Sequence, residues 1–546
     1  MLQKRGLDRR HRWHHIAALG TVTQRVLHHH QRQHGFGDRR GANAHAGVVT
    51  TEGLHRGRLT SAINRATPTS VARSPPKPTG RGNCGRFRVG HKVRTGVDSP
   101  ERAARGGQAT GRAQPGRDPM TAMRERVNTE PVTLESVLAT ENLNAAWSQV
   151  KTNDGAAGVD GWDVERSLPR IRERWTGIEA ALLAGRYQPA AVRAVTIPKP
   201  NGGERTLGIP TVLDRVIQQA IHQQLGPVWE PDFSEHSYGF RPGRSAHDAV
   251  RAAQGFIQAG KSWVIDLDLK SFFDRVDHDQ LMSRVASKVR DKRLLRLIGD
   301  YLRAPLETPD GCQEKRTRGT PQGGPLSPLL ANIYLDALDQ ELEQRGLSFV
   351  RYADDIAIFV ASPRAAERVK ASVIAWIEQH LKVEVNRDKS GSGPSDQSSL
   401  LGFRLYADGR IGVAPKTITR LKAKVRELWE ARQSLTSEQL REQWQRFIRG
   451  WWNYFELADW RREVDDLTGW IRRHMRKCFW LRWHHPRGRL NALQRLGVRG
   501  RALGNAYCAK GAWAMARHPT LQQALKNATL HRYGFILPWI LTSARK

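Results

Sequence analysis

Three aspartates at two places in the chain are the residues whose types could support catalysis. Asp354 and Asp355 are adjacent in the stretch FVRYADDIAIFV at 349–360, where apolar residues flank a polar centre. Two neighbouring carboxylates between hydrophobic arms repel each other and lose hydration, so the pair persists most easily when a cation neutralises it. Oxygen ligands on a rigid turn suit Mg²⁺, which binds one or two carboxylates together with substrate phosphates. An ordinary surface turn is the alternative interpretation.

The third carboxylate is Asp268, and the elements that must position all three are strands. Stretch 349–360 alternates between β-branched, aromatic and apolar residues on both arms, which predicts a buried β-hairpin with 352–355 at its bend. The segment WVIDLDL at 263–269 predicts a strand with Asp266 and Asp268 on one face, because side chains repeat every second residue. We interpret Asp266 as structural.

Carboxylates that converge on two divalent ions are the chemical equipment for in-line phosphoryl transfer. One ion activates the attacking hydroxyl and the other stabilises the leaving pyrophosphate, with the ions roughly 3.5–4 Å apart. The reaction needs little else, since its cost is mainly charge and positioning. The sequence therefore predicts two Mg²⁺ ions, which Mn²⁺ could replace.

The bulk charge of the chain indicates a polyanionic partner. Its 546 residues carry a formal net charge of +35, for which nucleic acid is the default explanation and an acidic membrane surface the weaker one. Runs of eighteen or more apolar residues are absent from the sequence, which predicts no transmembrane helix. The four cysteines are far apart without a CxxC pair, which argues against a zinc finger and fits a reducing compartment. We expect a cytoplasmic, nucleoid-associated bacterial protein rather than an organellar one.

Four further strings, in order along the chain, carry a resemblance to a known family. The family is that of group II intron-encoded reverse transcriptases and maturases. Its finger block resembles SYGFRPGRSAH at 237–247, and its three palm motifs resemble DLKSFF at 268–273, RGTPQGGPLSPLLANI at 318–333 and YADD at 352–355. The resemblance runs from about residue 135 to about residue 540. It implies an RNA-directed DNA polymerase, which is a nucleotidyltransferase.

The resemblance also implies roles for individual residues. Metal ligands would be Asp268, Asp354 and Asp355, with the backbone carbonyl of Leu269. The nucleotide would contact Lys199, Arg205, Phe273, Gln322 and Lys389. Lys199 and Arg205 would bind the triphosphate. Phe273 would exclude a 2′-hydroxyl, and Lys389 would assist the leaving group. Ordinary alternatives are a core aromatic for Phe273 and a solvated charged loop for Lys199 and Arg205.

Nucleic-acid contacts are expected from basic residues in three regions. RGWWNYF at 449–455 resembles the maturase signature, LGF at 401–403 resembles the primer grip, and Arg residues at 470–487 interleave with Trp480 and Trp483, a mixture that suits RNA. The alternative for this last group is an ordinary basic helix face. The predicted contacts are Arg241, Arg244, Gly402, Arg449, Arg473, Arg476, Lys477 and Arg482.

These observations predict an α+β fold, specifically a right-hand polymerase whose fingers and palm contain antiparallel sheet. An all-helical thumb, or maturase domain X, and a basic C-terminal segment would follow. The predicted ranges are 120–260 for the N-terminal extension and fingers, 261–412 for the palm, 413–469 for the thumb and 470–546 for a basic DNA- and RNA-binding region without an endonuclease.

The first 119 residues differ from the rest in being rich in Arg, Gly and His and poor in acidic residues. They carry roughly half of the excess positive charge, and we expect mostly disorder. Three interpretations are a basic nucleic-acid arm, a transit peptide, and translated leader sequence upstream of a start at Met120 or Met123. We favour the leader.

The sequence thus predicts a polymerase that copies intron RNA into DNA and assists splicing of its own group II intron RNA, supporting intron mobility. The expected partners are group II intron RNA, a DNA target and primer, and dNTPs, with no membrane. Alternatives are a related bacterial reverse transcriptase in phage defence or spacer acquisition, and a non-catalytic RNA-splicing chaperone. Intact carboxylates and Gln322 favour a live polymerase, and the thumb signature favours the intron branch.

Overall fold

The computed structural model describes residues 131–198, 204–460, 462–538 and 541, and its helices and strands form three successive groups. The first group precedes the catalytic strands. Its elements are α1 (Leu134–Leu138), α2 (Thr140–Asn153), α3 (Val164–Leu183), β1 (Val192–Pro198), β2 (Glu204–Ile209), α4 (Val212–Trp229) and α5 (Ala246–Gln258). Side-chain caps define the helix starts: Asp163 accepts from the backbone N–H of Arg166 at α3, and Ser245 and Asp248 form a capping box at α5.

The second group forms the centre of the molecule. Its elements are β3 (Trp263–Asp268), α6 (Phe272–Arg275), α7 (His278–Lys288), α8 (Lys292–Arg303), β4 (Leu306–Glu307), β5 (Gln313–Glu314), α9 (Ser327–Gln344), β6 (Ser348–Tyr352), β7 (Asp355–Val360), α10 (Pro363–Trp376) with a π-helical turn at Ile377–Leu381, and β8 (Gly391–Pro394). Strands β6, β7, β3 and β8 form one sheet in that order, and every neighbouring pair is antiparallel.

A second four-stranded sheet lies in the finger region. Strands β1 and β2 form an antiparallel hairpin. Strand β1 also pairs in parallel with β4, and β4 pairs antiparallel with β5. The alternating burial of β1 fits a half-covered hairpin, in which one face packs on protein and the other faces outward.

The third group is mainly helical. After the two short strands β9 (Phe403–Leu405) and β10 (Ile411–Val413), its helices are α11 (Pro415–Leu428), α12 (Ser437–Phe455), α13 (Arg462–Arg482), α14 (Pro486–Arg495), a 3₁₀ helix at Gly500–Tyr507, α15 (Ala512–Arg517), α16 (Pro519–Ala524) and α17 (Asn527–Arg532). Thr436 and Gln439 form a capping box at the start of α12. Within the described residues, none of the helices combines the length and apolar character needed to cross a membrane.

Three hydrophobic clusters organise these elements. The largest joins α1–α4 to one face of the central sheet and to α9, which is buried over most of its surface. A second cluster holds the C-terminal helices together. The third lies on the opposite face of the central sheet, where Val264 and Phe359 pack with Phe403 and with Phe455 of α12. The catalytic sheet is therefore in direct hydrophobic contact with the first helices of the third group.

The structure confirms the predicted α+β fold with antiparallel central sheet and a helical C-terminal part. The sequence-based domain ranges stay predictions. The predicted division between residues 469 and 470 falls inside the continuous helix α13. The basic segment at 1–119, together with Met120 and Met123, lies outside the described residues.

Candidate active site

The hairpin formed by β6 and β7 brings the two adjacent aspartates to the edge of the central sheet. Tyr352 and Asp355 pair across the hairpin, so Ala353 and Asp354 form its tip. Ala353 has a φ of 59°, in the left-handed region that residues with a side chain adopt rarely. The tight turn therefore depends on contacts from neighbouring elements to hold it.

The register between β3 and β7 decides which carboxylates meet. Asp268 is the direct partner of Asp355, and Asp266 is the partner of Ala357. Directly opposite residues of an antiparallel pair have Cβ atoms roughly 4.5–5.5 Å apart, so the carboxylates of Asp268 and Asp355 are neighbours. Asp354 follows at the turn, and three carboxylates thus share one end of the sheet.

Lost hydration and repulsion between carboxylates dominate the electrostatics of this group. The pKa of Asp355 is raised to about 6, first because surrounding protein atoms displace hydration, and then because Asp354, Asp268 and Asp266 repel its charge. Burial also raises the pKa of Asp354. Asp355 nevertheless keeps an accessible side chain, so a ligand can reach it.

An open cleft of about 530 Å³ begins at these carboxylates. Asp268 and Asp355 line one end, and Leu401 and Lys416 line the other. Lys389 also lines it, with its Nζ 3.8 Å from Oδ2 of Asp268. Across the described part of the chain, no three His, Cys, Asp or Glu side chains stand close enough to enclose a metal ion alone. Asp268 and Asp355 on the cleft, with Asp354 next to them in the chain, fit a divalent ion that takes its other ligands from phosphate and water.

Hydrogen bonds from the segment after α10 fix the end of β3. The backbone N–H of Asn386 donates to the Asp268 carbonyl at 2.8 Å, and that of Lys270 donates to the Glu384 carbonyl at 2.9 Å. The Asp268 N–H in turn donates to Oγ of Ser390 at 3.0 Å. These bonds flank Leu269, whose own carbonyl is a partner in none of them. Asp266 accepts a hydrogen bond from the Ser398 hydroxyl, as its structural interpretation predicts.

A buried ion pair that sequence reasoning missed supports the hairpin tip. Arg351 and Asp339 are both fully buried and are joined by a bidentate pair, with Nε of Arg351 2.7 Å from Oδ1 of Asp339. The same guanidinium donates to Oδ1 of Asn332 at 2.9 Å and to the Ala353 carbonyl at 3.0 Å. Arg351 therefore holds the strained residue beside Asp354. The string VRYADD contains this arginine, but nothing in it signals burial.

The finger block at 237–247 packs directly on the same tip. Ser237 bridges Arg351 in parallel, which adds a short edge strand to the central sheet beside β6. Gly239 lies so close to the turn that a Cβ added to it would be 2.3 Å from the Ala353 nitrogen. Its carbonyl accepts from Nδ2 of Asn332 at 2.9 Å. Only glycine permits this approach, so Gly239 is a second positioning residue absent from the sequence-based set.

Comparisons with known proteins agree with this geometry. A family model described as reverse transcriptase (RNA-dependent DNA polymerase) matches residues 197–405, and one described as the group II intron maturase-specific domain matches residues 418–497. Protein YkfC of Escherichia coli (strain K12) is 35% identical over 287 residues, covering 45% of this chain and 75% of YkfC. The chain belongs to the family of group II intron-encoded reverse transcriptases and maturases.

Other relatives match shorter parts of their own length. Group II intron-encoded protein LtrA of Lactococcus lactis subsp. cremoris is 39% identical over 215 residues, which is 38% of this chain and 34% of LtrA. An uncharacterized 91 kDa protein in the cob intron of Schizosaccharomyces pombe is 40% identical over 151 residues, which is 28% of this chain and 18% of that protein. The chain thus spans about a third or less of these two relatives.

In the reverse transcriptase domain, two of the expected nucleotide contacts already touch one another. Nε of Arg205 donates to Oε1 of Gln322 at 2.5 Å, and the Gly208 N–H donates to the Gln322 carbonyl at 2.8 Å. Gly323 has a φ of 134° and lies against the Gly208 carbonyl, a conformation and an approach that favour glycine. Strand β2 and the 319–325 loop therefore form one surface near the carboxylates. Lys199 lies outside the described residues.

Phe273 is buried, with 9% of its surface exposed. Its ring packs edge-on against Phe272, and its carbonyl accepts from the Thr320 N–H at 2.7 Å. This burial keeps open the core-aromatic alternative for Phe273. The backbone bond nevertheless ties Phe273 to the loop that carries Gln322.

Gly402 lies where the central sheet meets the maturase helices. It has a φ of 83°, and its carbonyl accepts from the Ala414 N–H at 3.0 Å and from the Thr417 hydroxyl at 3.1 Å. A Cβ at this position would be 3.3 Å from the ring of Phe455. The residue therefore lies next to Leu401, which lines the cleft, and its primer-grip role stays a prediction.

The expected nucleic-acid contacts divide by exposure, and two of them need correction. Arg241 is 4% exposed and bonds to Glu230 and to the Ser237 carbonyl, and Arg476 is 6% exposed and bonds to the Leu525 carbonyl. Both guanidiniums are buried and hydrogen-bonded inside the fold, so little of either side chain is left for a nucleic acid to contact.

The remaining predicted contacts keep accessible surface. Arg449 is exposed on α12, while Arg244, Arg473, Lys477 and Arg482 are part-buried. Arg244 donates to the Glu235 carbonyl at 2.5 Å, Lys477 lies 5.2 Å above the Trp513 ring, and Arg482 donates to the Leu435 carbonyl. These five residues stay predicted contacts.

Proposed function

We propose that this reverse transcriptase copies RNA into DNA at Asp268, Asp354 and Asp355, and that it assists the splicing of a group II intron RNA. One observation carries the catalytic part: the β3–β7 register makes Asp268 the direct neighbour of Asp355, next to Asp354 and at the mouth of an open cleft. Three carboxylates that repel one another are held together there at a cost, which bound cations would remove.

Two Mg²⁺ ions are the proposed cofactor, held by the three carboxylates with help from the Leu269 carbonyl. When bound, they would supply the positive charge that activates the 3′-hydroxyl of the primer and stabilises the leaving pyrophosphate. The protein contributes position: Arg351 and Gly239 fix the turn, and Asn386 and Ser390 fix the end of β3. Mn²⁺ could substitute, since it accepts the same oxygen ligands.

The incoming dNTP would lie between the carboxylates and the surface made by Arg205 and Gln322. The guanidinium would bind triphosphate oxygens through its forked donors, and Lys199 would add a second positive charge. Phe273 would exclude a 2′-hydroxyl from below the sugar. Lys389, which already approaches Asp268, would place positive charge and an acidic proton near the leaving group.

The maturase-specific domain supports the second half of the proposal. It follows the polymerase part directly, and the third hydrophobic cluster joins the two. Arg449 and the basic face of α13 would contact intron RNA, together with the DNA target and primer. This domain favours the intron branch over phage defence or spacer acquisition, and the intact carboxylates favour an enzyme over a non-catalytic chaperone. We place its work on DNA in the bacterial cytoplasm, with an organelle as the alternative.

The experiment is Asp354→Ala in the full chain, assayed by extension of a DNA primer on an RNA template. Extension should vanish, while binding of structured RNA stays near the wild-type level, because only the charge at the turn is lost. Asp300→Ala is the matched control, since this carboxylate lies on α8 and pairs only with neighbouring arginines. Extension by Asp354→Ala at the rate of the control would show that the site is assigned wrongly.

A further inference from the structure

Phe240 is an exposed aromatic residue in a strained conformation beside the catalytic turn. Its φ is 60°, and 43% of its surface is exposed. A bulky residue in the left-handed region is a true outlier, and such strain persists only where the surroundings enforce it and often marks a functional position. The strained backbone and the exposed apolar ring both lower the stability of the folded state. Ligand binding is an explanation for keeping them.

The backbone around Phe240 is fixed on both sides. Asn332 holds the Gly239 carbonyl, and the Arg241 side chain holds the Ser234 and Ser237 carbonyls and Glu230. Because the neighbours on each side are anchored in the interior, the ring of Phe240 has no freedom to fold back into the core. The fold presents it to solvent as a rigid apolar surface.

The location of this ring restricts what can cover it. Gly239 contacts the backbone of Ala353, and consecutive Cα atoms are about 3.8 Å apart, so Phe240 lies roughly within 8 Å of the catalytic turn. A polymerase must hold a primer–template end at that turn. The apolar ring, with the basic Arg244 four residues away, therefore matches a nucleobase flanked by phosphates.

The order of strands indicates which nucleic-acid strand the ring faces. The segment at 236–238 pairs with β6, so the sheet runs from this edge through β6, β7 and β3 to β8. The cleft at Asp268, Lys389 and Leu401 lies on the β3 side and would receive the primer end. The edge that carries Phe240 is three strand spacings away, about 14 Å. A ring separated from the primer cleft by that distance lies toward the other strand of the duplex, which is the template.

From these observations we infer that Phe240 is a stacking surface for a base of the template strand next to the primer end. The inference rests on the proposed polymerase function and adds a template contact to it. The ring supplies sequence-tolerant stacking, because every base has an aromatic face. The strained backbone keeps that surface in place before nucleic acid arrives, which reduces the ordering cost of binding.

The test uses a labelled DNA primer annealed to an RNA template, with equilibrium binding measured at one fixed salt concentration. F240A should weaken binding roughly five- to 150-fold, the effect of removing one base–aromatic stack. F240W should retain most of the affinity, since it keeps an aromatic face. F240G should bind as weakly as F240A while unfolding at the same or a higher temperature than wild type, because glycine relieves the strain at φ of 60°.

Templates with a single abasic site, moved along the positions near the primer end, give the readout that a merely structural role would not change. At one position the abasic site should weaken wild-type binding and leave F240A unaffected, because the same stack can be removed only once. Wild-type affinity in F240A or F240G, or an abasic penalty that is equal in wild type and F240A at every position, would overturn the inference. Failure of wild type to extend the primer would instead overturn the proposed function.

Discussion

At the scale of single residues, Asp355 determines how the site responds to pH. Its raised pKa of about 6 means that the folded protein holds this proton more tightly than the unfolded chain, where the ordinary value is 3.8. Without metal, the folded state therefore loses stability as pH rises from about 4 to about 6, because ionisation is easier after unfolding. A metal ion reverses the preference, since it binds the ionised carboxylate.

We predict that the rate of primer extension at limiting Mg²⁺ rises steeply as pH passes about 6. Saturating Mg²⁺ should move this rise to lower pH, because the metal ion and the proton compete for Asp355. The measurement is single-turnover primer extension between about pH 5 and pH 8 at both metal concentrations. In parallel, metal-free Asp355→Asn should resist urea better than wild type above about pH 6. Identical pH profiles at both metal concentrations would contradict the proposed role of Asp355.

The buried Arg351–Asp339 pair allows a second residue-scale prediction. Arg351→Ala leaves Asp339 charged and unpaired in the core, so it should lower the free energy of unfolding by about 3–5 kcal/mol. Arg351→Met combined with Asp339→Leu should recover much of that stability, because apolar residues of similar volume replace a buried pair at little cost. Extension should still fall on the order of 100-fold, since the Ala353 carbonyl has lost its donor.

Urea unfolding and extension rates of the three proteins check this prediction. Arg345→Ala is the control, because its pair with Glu341 is partly solvated and should contribute less than about 1 kcal/mol. If the double variant polymerises at the wild-type rate, Arg351 serves only stability.

The contrast between these residues shows what can be inferred from residue types. That Asp268, Asp354 and Asp355 meet at one end of the sheet could be predicted, because carboxylates between apolar residues on strands suggest a shared cation before any fold is known. Arg351 could not be predicted, since its partner Asp339 is on a different element, and burial of an arginine depends on packing. The sequence does not show packing, so Arg241 and Arg476 were predicted to contact nucleic acid although both side chains are buried.

At the scale of elements, the contact between the finger block and the catalytic hairpin is the least tolerant feature. Gly239→Ala would place its Cβ 2.3 Å from the Ala353 nitrogen, so one of the two backbones must move. We predict an extension rate reduced on the order of 100-fold, since a displacement of about 1 Å at a reacting group has that effect. Binding of structured RNA should change little.

Gly255→Ala is the control for that variant. Gly255 lies within α5, and an added Cβ meets no atom within 4 Å. Alanine there should raise the free energy of unfolding by about 0.5–1 kcal/mol and leave extension unchanged. If Gly239→Ala polymerises as well as Gly255→Ala, the finger block does not position the turn.

Long periodic elements were predictable from the sequence, and short ones were not. The β6–β7 hairpin follows from its apolar and β-branched arms, and helix α12 follows from apolar residues spaced by three or four. Strand β8 reads GSGP, with no hydrophobic pattern, and exists because β3 offers an unpaired edge. Strands β4 and β5 have two residues each and likewise depend on their partners, since β4 pairs with β1 and β5 pairs with β4. Pairing across long sequence separations supplies what local pattern lacks.

At the scale of the whole molecule, much of the positive charge lies in a part of the sequence far from the three carboxylates. The third hydrophobic cluster ties the catalytic sheet to α12, and His247 contacts the Tyr454 carbonyl at 2.6 Å, so fingers, palm and the first maturase helices form one connected body. The strongly basic residues 1–119 carry roughly half of the net charge of +35. Electrostatic attraction to nucleic acid can therefore change without change at the carboxylates.

The final prediction is that deletion of residues 1–119 barely alters extension at saturating primer–template. The three candidate carboxylates and the residues that support them all lie beyond residue 230, so the chemical step should keep its rate. Non-specific binding to RNA should weaken, and the slope of log affinity against log salt should become shallower, by about 0.7 for each single-strand phosphate that the protein no longer neutralises. Titrations at several salt concentrations, beside single-turnover extension, measure both quantities. A large fall in the single-turnover rate would show that the segment acts in catalysis and is no dispensable leader. An unchanged salt slope would show that the segment does not bind the nucleic acid.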